Sequence, residues 1–389
     1  MEPIVAEHLI EQAIAATGYD DFETMEWREA LDRMIEAWHH ESNLNDIGRV
    51  MVESTTVQFL ANRLNIVEYR KTHPEIATRD ITPPIVIVGQ ARTGTTILFD
   101  LLAQDPAVRV PRTWEVDMPS PPPETATYET DPRIDIVEAS SAATDMIIPG
   151  FRAIHPMGAR LGQECVTITA SAFRSVMFPT VYRMPSYGRW LLYEADMAPA
   201  YRWHRMFLQH LQARHYGERW LLKTPGHIWC LEALLAEYPE AILVQTHRDP
   251  LRVIASVSSL QAVLRKLGSD TTDIADIAGD WAEWTMEGFD RSVNARRSGV
   301  VDPKRVVDVN FDQFMNDPFV AIAAIYDQLG LSFTTSAEDR MRKFLAAHGQ
   351  DEHGRHHYTW EATGLDRDEW RDRAQSYQNY FGVASESFT

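Results

Sequence analysis

The stretch VIVGQARTGTT, residues 86–96, decides the fold of this chain. An unbroken apolar run from Ile85 to Val88 ends at Gly89, and Gly94 stands directly before the apolar periodicity of TTILFDLLAQ. The unbroken run predicts a strand buried on both faces of a parallel sheet, and the spacing after Gly94 predicts a helix. Since a strand, a glycine-containing turn and a helix N-terminus expose free N–H groups and a positive dipole end, the stretch predicts an anion-binding loop.

This loop differs from the one that binds nucleoside triphosphates, which reads G-x-x-x-x-G-K-[ST]. Thr95 stands in the lysine position, and the nearest cation is Arg92. A bound magnesium ion would need an acidic residue at the end of a strand. In the best candidate strand, ILVQTHRD, residues 246–248 precede the first acidic residue. The pattern therefore favours a loop that binds a phosphate or sulfate group without a divalent metal. The alternative is a tight strand–helix turn capped by threonines, which would need neither Arg92 nor so many hydroxyls.

Three more predicted strands follow along the chain, in RWLLKTP (219–225), AILVQTHRDP (241–250) and RVVDVNFDQF (305–314). Helical patterns separate them, and strands that alternate with helices predict crossover connections and a parallel sheet. The fold expected is therefore α/β, a P-loop-like three-layer domain with a central, mainly parallel sheet. Ligands of such sheets bind beyond the carboxyl ends of the strands, where the polar segments of these motifs fall.

The predicted domain organisation has two parts. Residues 1–80 read as an N-terminal helical segment packed on the core, with an apolar helix face in VAEHLIEQAIAATG that stops at Gly18. Residues 81–389 read as the α/β domain, with a helical insertion rich in aromatic residues at about 120–216.

Composition and charge narrow the class of partner. The chain has 389 residues, 44% hydrophobic and 24% charged, which is typical of a soluble globular protein. Its net charge of −19 argues against nucleic acid or an anionic membrane as a partner, because both would be repelled. An anionic ligand must therefore be held by a local group of cations.

Signals of targeting are missing from the sequence pattern. The N-terminus has acids where a signal peptide needs cations, and no apolar run reaches the length of a membrane span. Cys165 and Cys230 lie in no metal-binding spacing, which favours free thiols in a reducing compartment. These patterns predict a cytoplasmic protein without an integral membrane segment.

Residues 83–381 resemble the sulfotransferases that use 3′-phosphoadenosine 5′-phosphosulfate (PAPS). The bacterial branch of that family has a first motif close to P-R-S-G-T-T-[LI]-L, and this chain reads QARTGTTIL. The second family motif appears here as VQTHRDPLRVIASVSSL, with Arg248 and Ser256 at the family spacing. WLLKTPGH matches the family's Lys-Thr element, and HHYTWEATGLDRDEWRDRAQSYQNYF is similar to the C-terminal tail of bacterial members.

The resemblance implies PAPS as the sulfuryl donor, 3′-phosphoadenosine 5′-phosphate (PAP) as the product, and no metal. It assigns the 3′-phosphate to Arg248 and Ser256, since an arginine grips a phosphate through two charge-assisted hydrogen bonds. Arg355 is a candidate second ligand of that phosphate, with a solvated loop arginine as the equal alternative. The 5′-phosphosulfate would be held by Arg92, Thr93, Gly94, Thr95 and Thr96.

Sulfuryl transfer needs in-line positioning and stabilisation of developing negative charge. Lys223, after three apolar residues at a strand end, is the predicted cation at the bridging oxygen, together with Arg92. A general base must also accept the proton of the acceptor. Glu115 in PRTWEVDMP resembles a family glutamate, and His227 in KTPGH is the alternative, although its register differs by two from the family histidine. Weaker candidates for the base are His155, His353, His356 and His357.

The acceptor is the least determined part. Residues 146–206 are rich in methionine and aromatic side chains. Many of these side chains must form the core, and their density also suggests the wall of an apolar pocket. A small apolar acceptor with a hydroxyl or an amine is expected. Two other functions stay open at this point, a kinase-like phosphotransferase on the same fold and a non-catalytic PAP- or PAPS-binding protein.

Overall fold

The structure is a computed structural model that describes residues 3–147, 158–347 and 358–388, with only the backbone for 143–147. The chain divides into two compact units. The first comprises Met1–Ile81, Pro111–Gly217 and Val263–Thr272. The second comprises Thr82–Val110, Glu218–Ala262 and Asp273–Thr389.

Strands and helices alternate through the second unit, whereas the first unit is helical. The strands are β1 Ile85–Val88, β2 Val108–Arg109, β3 Arg219–Lys223, β4 Ile242–His247 and β5 Val306–Asn310. The α-helices are α1 Ala6–Thr17, α2 Arg28–His40, α3 Asp46–Thr72, α4 Thr95–Leu102, α5 Thr113–Asp117, α6 Arg133–Ile147, α7 Cys165–Ala170, α8 Met177–Val181, α9 Pro185–Tyr193, α10 Ala198–Leu211, α11 Leu231–Glu237, α12 Pro250–Leu264, α13 Ile274–Arg297, α14 Phe311–Asn316, α15 Pro318–Gln328, α16 Thr335–Ala347 and α17 Arg367–Phe381.

Within the described residues of the second unit, five strands form one sheet in the order β2-β3-β1-β4-β5, and every neighbouring pair is parallel. All residues of β1 are buried, so both faces of the sheet are covered at its centre. Ile87 pairs with Lys223, and Val88 pairs with Gln245. This register brings the carboxyl ends of β1, β3 and β4 to one edge, which confirms the predicted P-loop-like α/β sheet.

The helix α4 positions the loop that precedes it. Of the predicted buried stripe, Leu98, Leu101 and Leu102 are buried and Ile97 is partly buried, and they pack with side chains of the sheet and of α15 and α16. Each such buried side chain contributes about 1.5–3 kcal/mol relative to exposure. The N-terminus of α4 is thereby held at the carboxyl edge of the sheet.

The predicted strand over 305–314 is too long. The strand β5 ends at Asn310, whose partner His247 is the last residue of β4, so no ladder is available beyond that point. Phe311 and Phe314 follow at a spacing of three residues, and this spacing belongs to the helix α14. Phe311 instead packs beside Gly94 of the loop.

The first unit contains both helical regions that the sequence analysis separated, the one in residues 1–80 and the one at about 120–216. The helix α1 ends at Gly18, which has a φ of 76° as a left-handed helix cap requires. Many of the aromatic residues of the insertion are core residues. The shared core of these helices includes Trp27, Leu31, Met34, Leu60, Phe173, Phe178, Tyr187 and Trp190.

Two further features bear on the sequence analysis. Cys165 and Cys230, both among the described residues, form no disulfide bond, and they lie in different units. Across the part of the chain that the structure describes, the helices lack the combination of length and apolar character needed to cross a bilayer.

Candidate functional site

The loop between β1 and α4 has the backbone of an anion cradle. A side chain at Gly89 would bring its Cβ to 2.2 Å from Thr246 Oγ1, so only glycine fits there. Gly94 has a φ of 88° and precedes the first residue of α4. Arg92 also adopts a positive φ, 69°, which is uncommon for a residue with a side chain. Such outliers persist where the surroundings hold them and are frequent in ligand sites.

The Thr93 side chain links this loop to the neighbouring strand β4 through a hydrogen bond. Its side chain is buried, with its residue 1% exposed. The hydroxyl lies 2.6 Å from Gln90 O, to which it donates, and 2.6 Å from Thr246 Oγ1 on β4. The sequence analysis assigned Thr93 to the 5′-phosphosulfate, and the structure adds that its hydroxyl holds the shape of the loop.

Lys223 brings a buried cation to the start of α4. The residue is 2% exposed, and its Nζ lies 3.3 Å from Thr96 Oγ1, to which it donates. The ammonium also stands 5.5 Å from the centre of the Phe99 ring. Since a helix N-terminus is the positive end of the dipole, an ammonium there is favourable only with an anion nearby. The lysine missing from the loop is thus replaced in space by one from β3.

Each of the three guanidinium nitrogens of Arg248, directly after β4, donates a hydrogen bond. Nη1 donates to Arg92 O at 2.9 Å, and Nε and Nη2 donate to the two carboxylate oxygens of Glu386, each at 2.9 Å. The guanidinium carbon lies 3.8 Å from the centre of the Phe311 ring. Burial acts to lower the pKa of Arg248, but the hydrogen bonds and charge of Glu386 outweigh it, and the pKa is raised.

Arg92 and Ser256 connect the two sequence motifs. Arg92 Nε donates to Ser256 Oγ at 3.0 Å, and Ser256 is fully buried on α12. Burial lowers the pKa of Arg92, and the nearby charge of Arg248 lowers it further. The residues predicted for the 5′-phosphosulfate and for the 3′-phosphate therefore meet in one cluster.

Arg252 also belongs to this cluster, and the sequence analysis missed it. Its Nε lies 3.4 Å from Glu386 Oε2. Arg252 lies on α12, four residues after Arg248, which precedes the first residue of that helix. That i, i+4 spacing was the available signal. We refer to Arg92, Arg248 and Arg252 as the arginine cluster.

Asp249 accepts hydrogen bonds from the C-terminal segment next to the arginine cluster. Its carboxylate accepts from both Nη atoms of Arg371, at 2.7 and 2.9 Å, and from the Glu386 N–H at 2.7 Å. It also accepts from the Leu251 N–H at the start of α12, at 3.1 Å. Arg248 and Asp249 therefore each pair with a partner from the C-terminal region, and among the described residues they form no ion pair with each other.

The two candidate bases lie in different units. His227 is buried in a 3-10 helix, Pro225–Trp229, of the second unit. Glu115 is fully buried in α5 of the first unit, where Oε1 accepts from the Arg112 N–H at 2.8 Å and from the Tyr128 hydroxyl at 3.3 Å. The first of these bonds belongs to a capping box, so Glu115 also stabilises the start of α5.

Several candidates lie outside the described residues, namely Arg355, His155, His353, His356 and His357. Among the described residues, no group of three or more His, Cys, Asp or Glu side chains is placed to bind a metal ion. The expectation of a reaction without a metal stays a prediction.

The similarity of this chain to known proteins includes the region that contains the loop and the arginine cluster. Residues 83–335 match the model of a family described as the sulfotransferase family. Omega-hydroxy-beta-dihydromenaquinone-9 sulfotransferases of Mycobacterium bovis and Mycobacterium tuberculosis are 26% identical over 306 residues, which is 76% of this chain and 75% of theirs.

Two solved structures are similar over nearly the whole chain. Sulfotransferase STF9 from Mycobacterium avium has a TM-score of 0.90 and 29% identity, over 100% of this chain and 99% of its own. Sulfotransferase STF1 from Mycobacterium tuberculosis H37Rv has a TM-score of 0.84 and 30% identity, over 95% of this chain and 98% of its own.

Proposed function

Because this chain belongs to the sulfotransferase family, we propose that it moves the sulfuryl group of PAPS to a hydroxyl or amine of a small apolar acceptor. The observation that carries the proposal is the convergence of the arginine cluster, Ser256 and Lys223 on the loop between β1 and α4. This convergence lies at the carboxyl edge of the parallel sheet, where such folds bind their ligands.

The chemistry of the cluster fits a nucleotide with a phosphate on its ribose. Arg248 already holds a carboxylate in a two-point geometry, which is also how a guanidinium holds a phosphate. Two guanidinium groups, those of Arg248 and Arg252, pair with the single carboxylate of Glu386, and the Arg92 guanidinium adjoins them through Ser256. The cluster therefore has an excess of positive charge within a chain of net charge −19. That excess suits a dianionic phosphate group.

PAPS, when bound, supplies the sulfuryl group, and the residues of this chain position and stabilise it. Arg92 and the N–H groups at the start of α4 bind the 5′ end, with Gly94, Thr95 and Thr96 in that turn. Lys223 and Arg92 stabilise the negative charge that develops on the leaving group. Arg248 and Ser256, with Arg355, bind the 3′-phosphate.

A general base completes this proposal. We assign the role to Glu115, which would accept the proton of the attacking hydroxyl or amine, and His227 is the alternative. For Glu115 the support is the family resemblance and the complete burial of its carboxylate in α5.

The proposed acceptor is an apolar alcohol. The similar mycobacterial enzymes are named for a hydroxylated menaquinone, omega-hydroxy-beta-dihydromenaquinone-9. An apolar alcohol also agrees with the net charge of −19, which opposes a polyanionic acceptor. A cytoplasmic location would supply such an enzyme with PAPS.

Isothermal titration calorimetry tests the donor. PAP should bind tightly without Mg²⁺, and ATP should bind weakly with or without it. Tight Mg²⁺-dependent ATP binding without PAP binding would instead favour a kinase-like phosphotransferase. Mass spectrometry of PAPS turnover separates an enzyme from a protein that only binds the nucleotide.

Arg248→Ala should weaken PAP binding by about 10- to 100-fold, because a hydrogen bond to a charged group contributes about 1.5–3 kcal/mol. Adenosine 5′-phosphosulfate, which lacks the 3′-phosphate, should bind almost as before. Calorimetry with both ligands measures the two effects, with the exposed Arg342→Ala as the matched control. Equal losses for the two ligands would refute the 3′-phosphate role.

Glu386→Gln should tighten PAP binding about tenfold, equivalent to about 1.4 kcal/mol. The Glu386 carboxylate occupies the same donors of Arg248 that the 3′-phosphate would use, so binding requires its displacement. Glutamine removes the charge and keeps the shape. Calorimetry of the wild type and the variant with PAP measures the gain.

Glu240→Gln is the control for this substitution, because Glu240 forms an exposed ion pair with Arg305 in the same unit. It should leave PAP affinity unchanged. Weaker PAP binding by Glu386→Gln would mean that Glu386 orients Arg248 rather than competing for it. Failure of all variants to bind PAP would count against the donor itself.

A further inference from the structure

A cavity of about 250 Å³ lies within the first unit, between the segment before α2, the middle of α3 and the helix α10. Its lining includes Trp27, Trp203 and Met206, which form an aromatic and apolar wall. The volume is slightly below the range of about 300–1,000 Å³ that is usual for drug-sized ligands. The cavity therefore suits a ligand that is smaller than a drug-sized molecule.

Arg63 on α3 lines this cavity and is only 4% exposed. Its guanidinium carbon lies 3.8 Å from the centre of the Trp203 ring. Among the residues that the structure describes, Arg63 forms neither a hydrogen bond nor an ion pair, and its Nε is buried without a partner. A buried guanidinium in this condition costs free energy unless an anion shares the site.

The charge of the lining also favours an anion. Arg174 donates to Glu26 O at 2.6 Å, and its Nε likewise lacks a partner in the described part of the chain. Arg202 pairs with the Glu26 carboxylate at 2.5 Å. With Arg63 and Glu23 included, the lining has three arginines and two glutamates, an excess of one positive charge.

Arg63 retains its proton at neutral pH. Burial lowers the pKa of its guanidinium to about 9, and the charges of Glu23 and Glu26 act in the opposite direction. A ligand that enters the cavity therefore meets a full positive charge that lies 3.8 Å from the centre of the Trp203 ring.

We propose that this cavity is a binding site for a small organic monoanion with a flat aromatic body. The anionic group pairs with the free guanidinium of Arg63, and the ring packs against Trp203, Trp27 and Met206. The site is built from residues of the first unit alone, and the proposal does not depend on the identity of the sulfuryl donor.

Calorimetry with benzoate and its neutral analogue benzamide tests this site in the full-length protein. Benzoate should bind at millimolar or lower concentration with one molecule per chain, and benzamide should bind at least tenfold more weakly. Arg63→Met, which keeps the length and removes the charge, should lower benzoate affinity at least tenfold. The matched control Arg160→Met removes an exposed arginine of the same unit and should leave it unchanged.

Absence of benzoate binding to the wild type, or equal binding to the wild type and Arg63→Met, would overturn the proposal. So would equal affinity for benzoate and benzamide. If Arg63→Met does not fold, hydrogen–deuterium exchange of the wild type decides the question. Benzoate should then slow exchange in peptides that cover residues 23–27 and 199–206, and an unchanged rate there would contradict the site.

Discussion

Lys223→Met is expected to lower the rate of sulfuryl transfer by about 10²–10³-fold, the usual loss when one preorganised charge-stabilising donor is removed. The Lys223 ammonium is buried at the start of α4, so water cannot replace it as it could at an exposed site. PAP affinity should change much less, because Lys223 would act mainly on charge that develops during transfer. Single-turnover assays with PAPS and calorimetry with PAP measure the two quantities.

Lys304→Met is the matched control, since Lys304 is exposed in the same unit. It should transfer at the wild-type rate. Methionine at 223 is apolar and of similar length, so the fold should tolerate it, which a thermal unfolding curve can check. A Lys223→Met enzyme with full transfer activity would remove Lys223 from the mechanism.

Glu115→Gln is expected to lower transfer by about 10²–10⁴-fold, the range for a general base. Glutamine keeps an acceptor oxygen for the Arg112 N–H and the Tyr128 hydroxyl, so the capping box of α5 can persist without the basic charge. Transfer should fail while PAP affinity and the unfolding temperature stay near those of the wild type. These readouts separate a chemical role of Glu115 from its structural one.

Glu124→Gln is the control for this variant, because Glu124 forms an exposed ion pair with Arg214 in the same unit. It should leave transfer unchanged. Normal turnover by Glu115→Gln would move the assignment to His227, and His227→Asn would then be the variant that loses activity. A loss of PAP binding in Glu115→Gln would point to a disturbed fold instead.

Much of the fold was predictable because its signals are local. The unbroken apolar run of β1, the two glycines of the loop and the stripe of α4 each fit one backbone conformation, and the structure adopts it. The strand end at Lys223 was likewise visible in the sequence. The end of β5 was not, because it depends on where the partner strand β4 stops.

The sequence by itself determined the class of sheet, the anion-binding loop and the residue types that could surround it, since these follow from periodicity and turn chemistry within short stretches. Only the tertiary structure decided which charged side chains, distant from each other in the sequence, pair with one another. Glu386 reaches Arg248 across 138 residues, and the Nε of Arg63 is buried in a cavity without a hydrogen-bond partner among the described residues. Such pairings depend on packing between segments far apart in the chain, where hydrogen-bond geometry and desolvation, not local propensity, set the energy.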